Sequence, residues 1–175
     1  TLDTFGGGSF AERSVKLPET FPTVERSIDD LAAFLYTSGT TGRSKGAMLT
    51  QGNLLSNAEA LVQTWRFTSS DVLFHALPIF HTHGLFVASN VTFPAGSSMI
   101  FLSSFKAQQA IEHLPKATTM MGVPTFYTRL LDEPRLNREL VRHMRLFISG
   151  SAPLLADTPL AFEDRTGPRL LAAYE

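Results

Sequence analysis

Cysteine is absent from the 175 residues. The chain has no disulfide framework and no thiol nucleophile, and any metal must be held by oxygen or nitrogen ligands. A chain without cysteine suits a reducing compartment, and a cytoplasmic protein is the expectation. An excess of charge of either sign is missing too. Fifteen Lys and Arg face sixteen Asp and Glu, for a formal net charge of −1. Nothing global draws such a chain to nucleic acid or to anionic lipid, and neither is expected as a partner. No apolar run reaches the length of a membrane span, and Arg13 and Lys16 are not followed by the apolar core of a signal peptide. Internal repeats and low-complexity tracts are lacking as well.

What remains is an ordinary globular balance, 43% hydrophobic and 18% charged, in a length sufficient for one domain with a real core. Residues 1–28 read as a linker or surface loop, punctuated by Gly6-Gly7-Gly8, Pro18 and Pro22 with no sustained periodicity. Residues 29–175 read as one α/β domain. Its strand signals lie at 31–36, which we expect to be a buried strand, then at 47–49, 72–77, 98–102, 118–123, 145–148 and 170–174. Between them Leu54, Leu55, Ala58, Leu61, Val62 and Trp65 recur at helical spacing, with Thr50 or Asn53 as the cap. Further helices are expected at 84–92, 107–114, 125–131 and 157–166. This alternation predicts a mainly parallel sheet with flanking helices. Ligands of such sheets collect beyond the carboxyl ends of the strands. The loops at 37–46, 78–84, 122–125 and 149–153 therefore draw attention.

The first of these loops combines three glycines, four hydroxyl side chains ahead of Lys45, and both Arg43 and Lys45. Glycines let backbone N–H groups approach an anion, hydroxyls donate to phosphate oxygens, and lysine adds a mobile positive charge. It is not a Walker A loop, because Ser44 precedes Lys45 and Gly46 follows it. An arbitrary Gly/Ser/Thr loop is usually a surface turn, but the full string is far less ordinary.

Tyr36-Thr37-Ser38-Gly39-Thr40-Thr41-Gly42-Arg43-Ser44-Lys45-Gly46 resembles the signature of the superfamily of acyl-CoA synthetases, luciferases and peptide-synthetase adenylation domains. It meets the Ser/Thr-Gly-Thr-Thr-Gly-x-x-Lys-Gly pattern at every position. The resemblance implies that Thr37, Ser38, Gly39, Thr40, Thr41, Gly42 and Lys45 grip the β- and γ-phosphates of ATP while a carboxylate attacks the α-phosphate. An acyl-adenylate and pyrophosphate would result, with Mg²⁺ as cofactor, Thr37 as a weak ligand to it, and CoA as the thiol that takes the acyl group.

Two more segments extend the resemblance. Leu77-Pro78-Ile79-Phe80-His81-Thr82-His83-Gly84 is similar to the motif whose aromatic-His element lines the acyl pocket, which implies a catalytic, gating or orienting role for His81. Ser149-Gly150-Ser151-Ala152-Pro153-Leu154 is similar to the segment near the adenine and the acyl group, so Ser151, Ala152 and Pro153 would meet the nucleotide. Within the superfamily, residues 75–96, 121–131 and 144–158 look closest to malonyl-CoA synthetases. The implied reaction joins malonate to CoA at the expense of ATP, releasing AMP and pyrophosphate. Activation of a fatty, aryl or amino acid is the alternative, and so is a non-catalytic nucleotide-binding module.

His75, His81 and His83 invite a zinc reading, but no His-Glu-x-x-His pattern or nearby carboxylate cluster accompanies them. His75 reads as structural, and His83 stays open. Arg129 lies among large apolar residues, three from Phe126 and one from Leu130. A guanidinium beside a core calls for an acidic partner. Under the malonate reading this is the second carboxylate, held by a bidentate contact with help from Ser149 or Ser151. Otherwise Arg129 pairs with Asp132 or Glu133.

The resemblance breaks at the end of the chain. The usual Tyr-Gly-x-Thr-Glu motif stands here as Tyr174-Glu175, with Glu175 either in place of the glycine or brought close by missing residues. Tyr174 is carried over as nucleotide-binding and Glu175 as an uncertain metal ligand. The start at Thr1 and the end just after the apolar Leu170-Leu171-Ala172-Ala173 raise the expectation of an internal piece of a large N-terminal domain, without its C-terminal lid and without turnover on its own.

Overall fold

Residues 119–122 and 146–149 are buried along their whole length, which is how strands covered by helices on both faces behave. The structure, a computed structural model, describes residues 1, 3, 5–37 and 45–173; the Thr37 side chain lies outside that set. In it β3 (Val72–His75), β4 (Ser98–Phe101), β5 (Thr119–Gly122), β6 (Leu146–Ser149) and β7 (Leu170–Ala172) form a parallel sheet in the order β4-β3-β5-β6-β7. Period-two alternation sends Phe74, Met120 and Phe147 to one face and Leu73, Met121 and Ile148 to the other.

On the first face lie α4 (Ala107–His113, prolonged by the 3-10 turn Leu114–Lys116), α5 (Pro124–Leu131) and α6 (Asp157–Thr166). They bring Ile111, Leu114, Tyr127, Leu130 and Phe162 onto the sheet. On the second lie α2 (Gln51–Trp65), the π-helix His83–Ser89 and α3 (Asn90–Ala95), supplying Leu61, Trp65, Val87, Ala88 and Val91. The Tyr127, Phe147 and Phe162 rings meet edge to face, so truncating Phe147 to Ala should cost about 3–5 kcal/mol. The α/β class and the parallel sheet are as the sequence predicts, with strand limits shifted by one or two residues.

Both candidate caps of α2 act. Thr50 Oγ1 accepts from Asn53 N at 3.1 Å and Asn53 Oδ1 accepts from Thr50 N at 3.0 Å, a reciprocal capping box. The described part of residues 1–28 contains one short helix, α1 (Ser9–Ser14), with no buried residue.

The expected buried strand at 31–36 needs correction. β1 (Leu31–Thr37) does not join the parallel sheet; it pairs antiparallel with β2 (Lys45–Thr50) in a hairpin of its own. Phe34 is 52% exposed, Tyr36 75% and Met48 68%. A short apolar run gives hydrophobicity but not the layer that covers it, and no helix among the described residues crosses the outer face of this hairpin. Tyr36 lies over Gly46, where an added Cβ would sit 3.1 Å from its ring. The base is tied down where Gln51 N donates to Asp30 O at 2.9 Å and Gly52 N to Ile28 O at 2.7 Å.

At the amino ends of the strands sits a saturated polar hub. Arg145 donates to both oxygens of Asp71 at 2.8 and 2.7 Å, and to the carbonyls of Trp65 and Arg66 at 3.0 Å each. Its guanidinium also stands 5.4 Å from the Phe67 ring centre. Asp71 accepts further bonds from Thr118 Oγ1 at 2.7 Å and Thr68 N at 2.8 Å. Burial alone would raise the Asp71 pKa. The hydrogen bonds from Arg145, Thr118 and Thr68, with the charge of Arg145, outweigh it and hold the carboxyl at about 2.

Candidate functional site

At the carboxyl ends of the strands the local chemistry differs. β3 ends at His75 and the chain crosses Pro78 to enter the π-helix. Gly84 is obligatory here: a Cβ would lie 2.2 Å from the Pro78 carbonyl oxygen. The Gly84 carbonyl is held from two sides, by His75 Nε2 at 2.9 Å and Ser89 Oγ at 2.9 Å. A carbonyl only accepts, so His75 carries its proton on Nε2. Burial pushes its pKa down, against the opposing hydrogen bond to Gly84, and keeps it neutral. His75 is fully buried and acts as a brace for the segment that follows. π-helical turns concentrate at functional sites, and this one turns His83 inward.

His83 is 2% exposed. Its Nδ1 lies 3.0 Å from Ser151 Oγ, and its ring packs where a Cβ on residue 150 would stand 3.0 Å from Cε1. Gly150 therefore admits the ring. Ser151 adopts φ +64°, the left-handed region that costs a non-glycine residue about 1 kcal/mol. His81 is exposed; its Nδ1 receives the His83 N–H at 3.4 Å.

These groups border a cavity of about 390 Å³. Leu77, Pro78, Val123 and Phe126 give it apolar walls, and His81, His83 and Ser151 are its polar side chains among the described residues. A few polar groups on an apolar wall are what a small-molecule site requires. His81 also borders a groove of about 530 Å³ between the hairpin (Phe34, Tyr36) and residues 79–86. It thus stands between that cavity and the hairpin that carries the Gly/Ser/Thr loop. Lys45 and Thr37 pair in register at the end of that hairpin.

Other expected site residues fall elsewhere. Ser38, Gly39, Thr40, Thr41 and Gly42 of the loop, and Tyr174 and Glu175, lie outside the described residues, as does the Thr37 side chain. Ser149 is buried at the end of β6, and its Oγ has no hydrogen-bond partner among the described residues. Ala152 and Pro153 are exposed in the loop after it. Arg129 is exposed on α5, outside the cavity lining, and engages neither Asp132 nor Glu133; Glu133 pairs with Arg135. No cluster of three or more His, Cys, Asp or Glu able to hold a metal occurs among the described residues. No helix among them is long and apolar enough to cross a membrane.

Sequence reasoning missed Arg145, Tyr127 and the inward place of His83. Tyr127 donates its hydroxyl to the Ile148 carbonyl and pins α5 to β6; burial drives its pKa far above the ordinary phenol range, so it stays protonated. The signal available for His83 was Gly150, which frees the space its ring takes.

Comparison with known proteins places the chain in a family. The sequence profile described as AMP-binding enzyme matches residues 5–174. The chain belongs to the AMP-binding enzyme family. A mouse relative, malonate–CoA ligase ACSF3, mitochondrial (Mus musculus), is 37% identical over 177 residues, which cover 90% of this chain and 30% of the relative. Among solved structures of this family, ATP-bound MatB from Rhodopseudomonas palustris is 59% identical with a TM-score of 0.91, covering 99% of this chain and 35% of that one. A malonyl-CoA ligase in a ternary product complex with methylmalonyl-CoA and AMP is 34% identical with a TM-score of 0.79, over 88% of this chain and 34% of that one. The chain thus spans about a third of the length of these family members.

Proposed function

We propose that this chain supplies the acid pocket and the phosphate loop of an AMP-forming acid–CoA ligase, with malonate as the acid. The observation that carries the reading is the position of His81, shared by the cavity at the carboxyl ends of β3, β5 and β6 and the groove beneath the loop-bearing hairpin. An acid held in the cavity would present its carboxylate past His81 towards the nucleotide. A carboxylate oxygen then bonds to the α-phosphorus of ATP as the bond to pyrophosphate breaks. In the second half the CoA thiol, losing its proton, bonds to the acyl carbon and AMP leaves. The chain's own part is positioning: His81 orients the carboxylate, and Thr37, Ser38, Thr40, Thr41 and Lys45 steady the pyrophosphate as it departs. Magnesium, when bound, would neutralise phosphate charge. Residues 29–175 act as one partial nucleotide- and acyl-binding unit in this proposal, residues 1–28 as the segment leading into it, and a cytoplasmic location belongs to it as well.

Malonate is favoured by the names of the relatives and by a cavity whose apolar lining is broken by His81, His83 and Ser151. Arg129 follows Phe126, a wall of the cavity, by one helical turn, and no ion pair or hydrogen bond engages it among the described residues. This leaves it available to a second carboxylate. Acid-dependent ATP–pyrophosphate exchange in the longest chain that carries this sequence tests the proposal, with malonate set against acetate, benzoate, a long fatty acid and amino acids. Exchange with malonate is expected; exchange with another acid alone would select a different substrate, and none with any acid would leave a nucleotide-binding module. Arg129→Leu should reduce exchange with malonate far more than with a monocarboxylate. An equal loss on both would remove Arg129 from the pocket.

A further inference from the structure

We propose that His83 is a partition that sets the length of acid the site accepts. The inference rests on reading the 390 Å³ cavity as the acid pocket and adds what limits it. Behind His83 lies a second cavity of about 330 Å³, bordered by Asn57, Leu61 and Trp65 of α2 and by Val87. Among the described residues lining the two spaces, His83 is the one they share. Its imidazole forms the back wall of the first and the front wall of the second.

The partition is built rather than incidental. Gly84 allows the tight entry to the π-helix, Gly150 leaves room for the ring, and Ser151 in its left-handed conformation meets Nδ1 at 3.0 Å. A ring held in this way does not swing aside at low cost. Its edge is polar while the space behind is largely apolar, from Leu61, Trp65 and Val87. A short acid with a polar far end finds a hydrogen-bonding wall. An alkyl tail meets the same wall, stops, and gains nothing from the apolar space beyond it.

Bulk and polarity can be tested separately, in the longest chain that carries this sequence, by kcat/KM for acids from acetate to decanoate and from malonate to adipate. His83→Ala removes the wall and should raise octanoate relative to the short acids by about 10-fold or more, since each methylene that gains a pocket is worth roughly that factor. His83→Val carries the same expectation in smaller degree and serves if the alanine variant does not fold. His83→Phe keeps the bulk and should hold the short cut-off while losing preference for dicarboxylates. Leu61→Trp added to His83→Ala fills the rear space and should cancel the gain. An unchanged chain-length profile in folded His83→Ala or His83→Val overturns the partition, and so does a gain that Leu61→Trp leaves intact. If the unmutated chain activates no acid, the ligase reading falls by itself. Octanoate binding by calorimetry then decides: gained in His83→Ala, the partition stands; not gained, it falls.

Discussion

The two ends of one five-stranded sheet follow opposite rules. At the amino ends Asp71, Thr118 and Arg145 satisfy one another, and Arg145 adds the carbonyls of the turn after α2; Thr119 Oγ1, buried at the start of β5, is the exception there among the described residues. At the carboxyl ends Ser149 Oγ and His75 Nδ1 are buried without a partner among the described residues, Ser151 is strained, and Gly84 stands where a Cβ would lie 2.2 Å from a backbone oxygen. Buried polar groups are normally satisfied, and exceptions gather where a molecule is to be bound. One end keeps the strands in register, and the other is left unfinished around a cavity.

The sharpest way to break this comparison is at the saturated end. Asp71→Asn leaves the Arg145 charge without its carboxylate and should lower stability by about 3 kcal/mol, allowing for the partial exposure of Arg145. Urea unfolding reads the loss. The same pair predicts the acid limb. The Asp71 pKa is depressed in the folded chain, so its contribution is complete above the unfolded value near 4 and disappears as pH falls towards 2. About 2 kcal/mol should go over that window in the parent chain, and far less in Asp71→Asn. A loss of equal size in both would show that other carboxylates control acid unfolding.

At the unfinished end, Gly84→Ala forces a Cβ into the Pro78 carbonyl and should cost about 2 kcal/mol, since backbone must move. Unlike Asp71→Asn, it should also misplace His81 and His83 and weaken any acid that binds between them. Matched thermal melts and acid-binding titrations separate the variants: stability without affinity in the first, both together in the second. Tyr127→Phe should cost about 1 kcal/mol by leaving the Ile148 carbonyl short of its buried donor. Hydrogen exchange along β6 should rise more than along β4.

The difference between the ends also explains what the sequence disclosed. Alternating apolar runs marked the five parallel strands within a residue or two, because both faces of such strands must be covered. The same cue misjudged residues 31–36, whose outer face nothing among the described residues covers. Loops after strands border the cavity at the carboxyl ends of the sheet, since that is where parallel sheets leave space. The bond between Arg145 and Asp71 joins residues 74 apart and has no local trace. Nor does the inward turn of His83, which depends on a π-helix and on a glycine 67 residues further along. The place of Arg129 at the border of an apolar face, by contrast, is legible from its spacing. Its apolar neighbours Phe126 and Leu130 face the core while Arg129 itself points to the exposed side, because the helix turns by 100° at each residue.

The smallest expected effect carries the finest distinction. In Ser151→Gly the left-handed conformation is no longer strained, but the unfolded chain becomes more flexible and the Oγ on His83 is lost. Stability should therefore stay within about 1 kcal/mol of the parent, because the terms oppose one another. Were the residue present for folding, nothing else would follow. If it instead fixes the His83 ring as a wall, the glycine variant should bind a short dicarboxylate more weakly while melting no earlier. A destabilised variant with unchanged affinity would place Ser151 with Asp71 and Arg145 among the residues that only hold the sheet, and the contrast between its two ends would shrink by one residue.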